Sequence, residues 1–86
     1  MRLTIQCVIV NYYMEITYLG HSCFKLKGKT AGLVTDPFLT KCEADVVTIS
    51  HQHADHNQIT KVAGSPFVID GPGEYEIKNI FIKGFL

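Results

Sequence analysis

Apolar and polar residues alternate along this chain in short runs, and Gly, Pro or Asn closes most of them. A period of two marks a strand with one buried face. Leu3, Ile5 and Cys7 open one such run within residues 1–13, which then turns wholly apolar at Val8, Ile9 and Val10. Residues 15–19 predict a strand, and residues 22–27 a second, with Cys23 and Phe24 supplying bulk. Gly28-Lys29 reads as a turn. Residues 30–35 predict a third strand that stops at Asp36-Pro37, because proline has no N–H for a ladder. Residues 38–44 form a connector without a pattern of their own. The run D-V-V-T-I-S at 45–50 is β-branched throughout its centre, as in a strand covered on both faces. A helix is expected next, over residues 56–63, with Asp55 as N-cap, Gln58 three residues on, and Gly64 closing it. Residues 66–70 predict another strand, Gly71-Pro72-Gly73 a turn, and residues 74–85 a hairpin around Lys78-Asn79. The texture is mostly β with one clear helix.

Eighty-six residues bury about 63% of their unfolded surface, enough for one modest core. Hydrophobic residues at 47% and charged residues at 19% exclude a disordered or collagen-like chain. The longest uncharged stretch, residues 3–14, is interrupted by Thr4, Gln6 and Asn11. It is shorter than the roughly 18 apolar residues of a membrane-spanning helix. One arginine, a broken apolar run and no small-residue cleavage site also make a poor signal peptide, so a cytoplasmic protein is expected. Eight basic residues balance eight acidic ones. A nucleic-acid partner, which needs clustered positive charge, is therefore not expected, and neither is a membrane. Lys25, Lys27 and Lys29 form the basic cluster; the simpler reading is a solvated strand face, the other a binding patch. Three cysteines without a C-x-x-C pair suggest reduced thiols, with Cys23 a buried apolar residue and Cys42 a loop residue.

The chemistry concentrates at His51-Gln52-His53-Ala54-Asp55-His56, where three of the four histidines fall within six residues of one another. Residues two apart on an extended segment point the same way, so His51 and His53 project together beyond the strand at 45–50. Asp55 and His56 follow at the expected turn into the helix. Neutral imidazoles with one carboxylate are the donors that Zn²⁺, Mn²⁺ or Fe²⁺ take. A helix cap alone accounts for Asp55, but not for three histidines at one junction.

His51-x-His53-x-Asp55-His56 after a buried strand resembles the H-x-H-x-D-H signature of the metallo-β-lactamase fold. The segment from Met14 through Gly20-His21-Ser22-Cys23-Phe24 is similar to the opening strands of a prokaryotic branch of that superfamily, the L-ascorbate-6-phosphate lactonase-like and related metal-dependent hydrolases. Thr35-Asp36-Pro37-Phe38 and Gly71-Pro72-Gly73-Glu74-Tyr75-Glu76-Ile77 resemble further segments of it. The resemblance divides the chain into an N-terminal extension, residues 1–13, and a partial domain, residues 14–86. It implies an α/β, β-rich fold: the N-terminal half of a four-layer αββα sandwich, with a largely antiparallel or mixed sheet.

By position, the resemblance implies that His51 and His53 bind one metal and Asp55 and His56 a second. Two Zn²⁺ ions are implied for the complete site, with Mn²⁺ or Fe²⁺ as other possibilities, acting on a small-molecule substrate through a metal-bound hydroxide. Asp55 then holds the second metal and orients the nucleophile, which makes it the catalytic residue. Asp36 has two readings, an outer-shell carboxylate that buttresses the metal loop or a turn-forming residue ahead of Pro37. His21 reads more simply as a packed or exposed residue than as a neighbour of the site. Complete members of the family are longer and draw a further His for each metal, and a bridging Asp, from later segments. No His follows His56. The function expected is thus a metal-dependent hydrolase present as its N-terminal fragment, which alone is expected to be inactive. The alternative is a non-catalytic metal-binding fragment that needs a partner, and self-association through an exposed sheet face is expected in either case.

Overall fold

The β-branched and apolar runs of the sequence become the centre of a five-stranded sheet in the computed structural model, which describes residues 2–7, 14–29, 31–53, 56–78 and 80–85. Ten strands are present among them: β1 (Arg2–Cys7), β2 (Glu15–Gly20), β3 (Cys23–Lys27), β4 (Gly32–Thr35), β5 (Cys42–Glu43), β6 (Val46–Thr48), β7 (Val62–Ala63), β8 (Phe67–Ile69), β9 (Gly73–Ile77) and β10 (Ile80–Phe85). The main sheet has the order β2-β3-β4-β6-β8. β2, β3 and β4 are antiparallel hairpin neighbours, whereas β4, β6 and β8 run parallel, so the sheet is mixed. A second, antiparallel sheet has the order β1-β10-β9, with β1 paired along all of β10 from Arg2↔Phe85 to Cys7↔Ile80.

Parallel neighbours need a crossover between them. The crossover from β4 to β6 carries β5, and the one from β6 to β8 carries β7. These two short strands pair in parallel, Cys42 with Val62 and Glu43 with Ala63.

Strand alternation sorts the central side chains into two cores. Leu33, Val46 and Ile69 face Ile80 and Ile82 of β10, forming the layer between the two large sheets. Val34 and Val47 face the other way and pack with Cys23, Ala44, Ile49 and Val62. Both faces of β4 and β6 are therefore covered, which is why their residues are branched and apolar without alternating in polarity. Thr48 at the end of β6 is fully buried, and its hydroxyl has no hydrogen-bond partner among the described residues.

The expected helix over residues 56–63 is not there. Among the described residues of that span the chain makes a single 3₁₀ turn, Ile59–Lys61, and then enters β7. Two causes are visible. Asn57, Ile59, Thr60 and Val62 are poor helix formers, because branched side chains crowd the preceding turn and Asn competes for backbone hydrogen bonds. The backbone has better partners elsewhere: Gln58 N–H donates to the Pro37 carbonyl at 2.9 Å, and Val62-Ala63 find β5. Asp55, the expected cap, lies outside the described residues. Among the described residues no helix is long and apolar enough to cross a membrane.

Candidate metal centre

Open sheets bind ligands at the carboxyl ends of their parallel strands, and the histidines gather at that end here. Two backbone hydrogen bonds fix the loops that leave the strands. Asp36 N–H donates to the Thr48 carbonyl at 2.7 Å and Ile49 N–H to the Ile69 carbonyl at 2.8 Å. They set the residue after β4 beside the residues after β6.

Asp36 is the anchor of this corner. Its φ of +43° lies in the left-handed region, which Asp tolerates better than most residues. Only 7% of the residue is exposed. A buried carboxylate must be met by donors, and this one is. Oδ1 accepts the Ser50 N–H at 2.7 Å, and Oδ2 accepts the Ser50 hydroxyl at 2.8 Å. Nδ1 of His56 faces the same Oδ2 at 3.2 Å. Asp36 thus ties the residue after β4 to the residue ahead of the histidines.

The three histidines of the motif come together. Ring centroids of His51 and His53 are 4.6 Å apart, edge to face, those of His51 and His56 are 3.9 Å apart, and those of His53 and His56 are 6.4 Å apart. Tight turns return the chain to bring His56 in: His53 N–H donates to the His51 carbonyl and His56 N–H to the His53 carbonyl, both at 2.9 Å. A side-chain bond from Asn57 Nδ2 to Gln52 Oε1 at 3.1 Å closes the loop over itself. His51 and His53 are exposed and His56 is half-buried.

The donor chemistry suits a divalent transition metal. Ser50 Oγ lies 2.9 Å from His51 Nδ1, a contact that holds this ring at one nitrogen, whereas Asp36 Oδ2 lies 3.2 Å from His56 Nδ1 without hydrogen-bond geometry. Among the described residues no group of three or more His, Cys, Asp or Glu stands in a ligating arrangement. Asp55, the expected carboxylate ligand, is outside them.

His21 sits exposed at the β2–β3 turn with φ +50°, its ring edge-on to Phe38 at 4.6 Å. Burial, and then the neighbouring Cys42, push the Cys23 thiol up, and burial raises Cys42 as well. Both therefore stay protonated at neutral pH, and neither supplies a thiolate. Lys25, Lys27 and Lys29 border a cavity of about 350 Å³ with Glu43 and Asp45, at the opposite, amino ends of β4 and β6. Ser50 is the contact that the sequence pattern does not announce. A hydroxyl residue ahead of His51 is its sole signal, and its partner Asp36 is 14 residues away.

Comparison with known proteins places these residues in context. Residues 15–86 match a family model described as a beta-lactamase superfamily domain. A UPF0173 metal-dependent hydrolase of Methanoculleus marisnigri is 45% identical over 47 residues, covering 50% of this chain and 20% of the relative. A second, from Thermococcus onnurineus, is 31% identical over 84 residues, covering 81% of this chain and 35% of the relative. A Thermotoga maritima crystal structure, of a candidate zinc-dependent hydrolase of the metallo-β-lactamase superfamily, aligns with a TM-score of 0.72 at 45% identity. That match covers 85% of this chain and 38% of the other. The chain thus spans from 20% to 35% of the length of these two curated relatives.

Proposed function

This chain belongs to the beta-lactamase superfamily domain family, and on that premise we propose that it carries the first half-site of a metal-dependent hydrolase. Its strand-rich mixed sheet matches the metallo-β-lactamase fold, and its relatives bear the name metal-dependent hydrolase. In this reading His51 and His53 hold one ion, and Asp55 and His56 hold a second. Asp36 supports the loop by its contacts with Ser50 and His56. Zn²⁺ is the ion proposed, with Mn²⁺ and Fe²⁺ as competitors for the same donors. When bound, such ions lower the pKa of a water ligand to about 7 and polarise a carbonyl or phosphoryl oxygen. The chain's own residues hold the site's geometry: Asp36 fixes where the histidine loop starts, and the Gln52–Asn57 bond fixes where it returns.

The observation that carries the reading is the convergence of three imidazole rings, within 3.9 to 6.4 Å of one another, at the carboxyl end of β6. Elemental analysis after metal loading and desalting tests it. The wild-type chain is expected to retain metal, and His51→Ala/His53→Ala to lose most of it. Equal metal content in the two proteins overturns the reading.

A further inference from the structure

We propose that Ser50 is a positioning residue, which passes the charge of Asp36 on to His51 and so fixes the tautomer of that imidazole. The Ser50 hydroxyl has one proton, and its oxygen lies 2.8 Å from Asp36 Oδ2 and 2.9 Å from His51 Nδ1. An ionised carboxylate only accepts, so the proton lies toward Asp36, in the stronger, charge-assisted bond. The Ser50 oxygen is then an acceptor toward His51, and the hydrogen of that bond belongs to His51 Nδ1. A neutral ring protonated at Nδ1 has its lone pair on Nε2.

The same carboxylate oxygen is also near His56. His56 Nδ1 lies 3.2 Å from that oxygen, but without the geometry of a hydrogen bond. The buried carboxylate thus reaches His51 through Ser50, and that ring stands 3.9 Å from the ring of His56. The anchor is rigid, since the Asp36 N–H is held by the Thr48 carbonyl at 2.7 Å and Oδ1 by the Ser50 N–H at 2.7 Å. That last bond is made by backbone. Ser50→Ala therefore removes the relay to His51 and keeps the loop's attachment to Asp36.

The tautomer assignment stands on hydrogen-bond geometry, and only its consequence for metal affinity rests on the metal-binding reading above. Nitrogen-15 NMR of the metal-free chain, with pH raised until the ring signals stop moving, reads it directly. Wild type is expected to show His51 protonated at Nδ1 and bare at Nε2. In Ser50→Ala, His51 is expected to move toward the Nε2–H tautomer that an imidazole in water prefers, with the His56 signals unchanged; Ser50→Thr is expected to restore the wild-type pattern. A wild-type His51 protonated at Nε2, or one that does not respond to Ser50→Ala, overturns the proposal. Zinc competition titrations on the same proteins form the second arm. Ser50→Ala is expected to weaken binding about tenfold or more, and Ser50→Thr to recover it. A shifted tautomer with zinc affinity unchanged supports the relay and counts against the metal-binding reading instead.

Discussion

The side chain of Asp45 shows how one residue ties distant parts of this chain together. Its Oδ2 accepts the Gly32 N–H at 2.8 Å and its Oδ1 accepts Lys78 Nζ at 2.7 Å, joining the starts of β4 and β6 to the β9–β10 turn. The hydrogen bond from Lys78, and then that from Gly32, hold the carboxyl below its usual value. A folded-state pKa below the unfolded one stabilises the fold at pH above the unfolded value. That contribution fades as pH falls through the ordinary carboxylate range, about 4, and toward the lowered folded value. Urea midpoints at pH 7 and at about pH 3 read it. Wild type is expected to lose more stability over this interval than Asp45→Asn, which has no charge to lose. An equal fall in the two proteins would mean that other groups set the acid limb.

At the scale of elements, β10 separates burial from exposure residue by residue. Ile80, Ile82 and Gly84 are buried, whereas Phe81, Lys83 and Phe85 are exposed. Ile82 is fully buried in the layer facing Leu33, Val46 and Ile69. Ile82→Ala leaves a cavity there and is expected to cost about 2–5 kcal/mol, a large share of a small domain's stability. One position along, Lys83 meets Glu74 at 3.3 Å, but both side chains are more than half exposed. Lys83→Ala is expected to cost about 1 kcal/mol at most, because water screens such a pair. Denaturant titrations of the two variants check the contrast, and similar losses would mean that β10 is not packed as described.

At the scale of the molecule, the second sheet covers only part of the first. The cross-strand row Ile16, Leu26, Leu33 runs over β2, β3 and β4. Leu33 is buried under β10, but Ile16 is 67% exposed, and Tyr18 and Phe24 lie open beside it with their rings 5.0 Å apart. We propose that this bare apolar end of the sheet drives self-association of the isolated chain. At about 25 cal/mol per Å², even a few hundred apolar Å² outweigh much of the entropy of pairing. Light scattering at micromolar concentration is expected to show species heavier than the 9.6 kDa monomer. Ile16→Lys/Tyr18→Lys is expected to reduce them. A clean monomer for the wild-type chain overturns the proposal.

Local order in the chain determined most of the strands and one end of the site. Short apolar or β-branched runs bounded by turn residues marked β2, β3, β4, β6, β8 and the β9–β10 hairpin, because side-chain shape and the needs of Gly, Pro and Asn act between near neighbours. The His51, His53 and His56 spacing marked the imidazole cluster for the same reason, since backbone hydrogen bonds between residues two and three apart suffice to bring the rings together. What the tertiary structure alone decided are pairings between segments far apart. β5 found β7, and that pairing drew residues 62–63 out of the helix that a capping pattern suggested. β1 found β10 at the other end of the chain. Asp36 found Ser50 because the parallel register of β4 and β6 sets Thr35 against Thr48, and so aligns the residues that follow them. Such contacts depend on how the sheet closes, and the free energy that decides them is shared among hydrogen bonds and buried surface from both segments, so neither segment bears their mark alone.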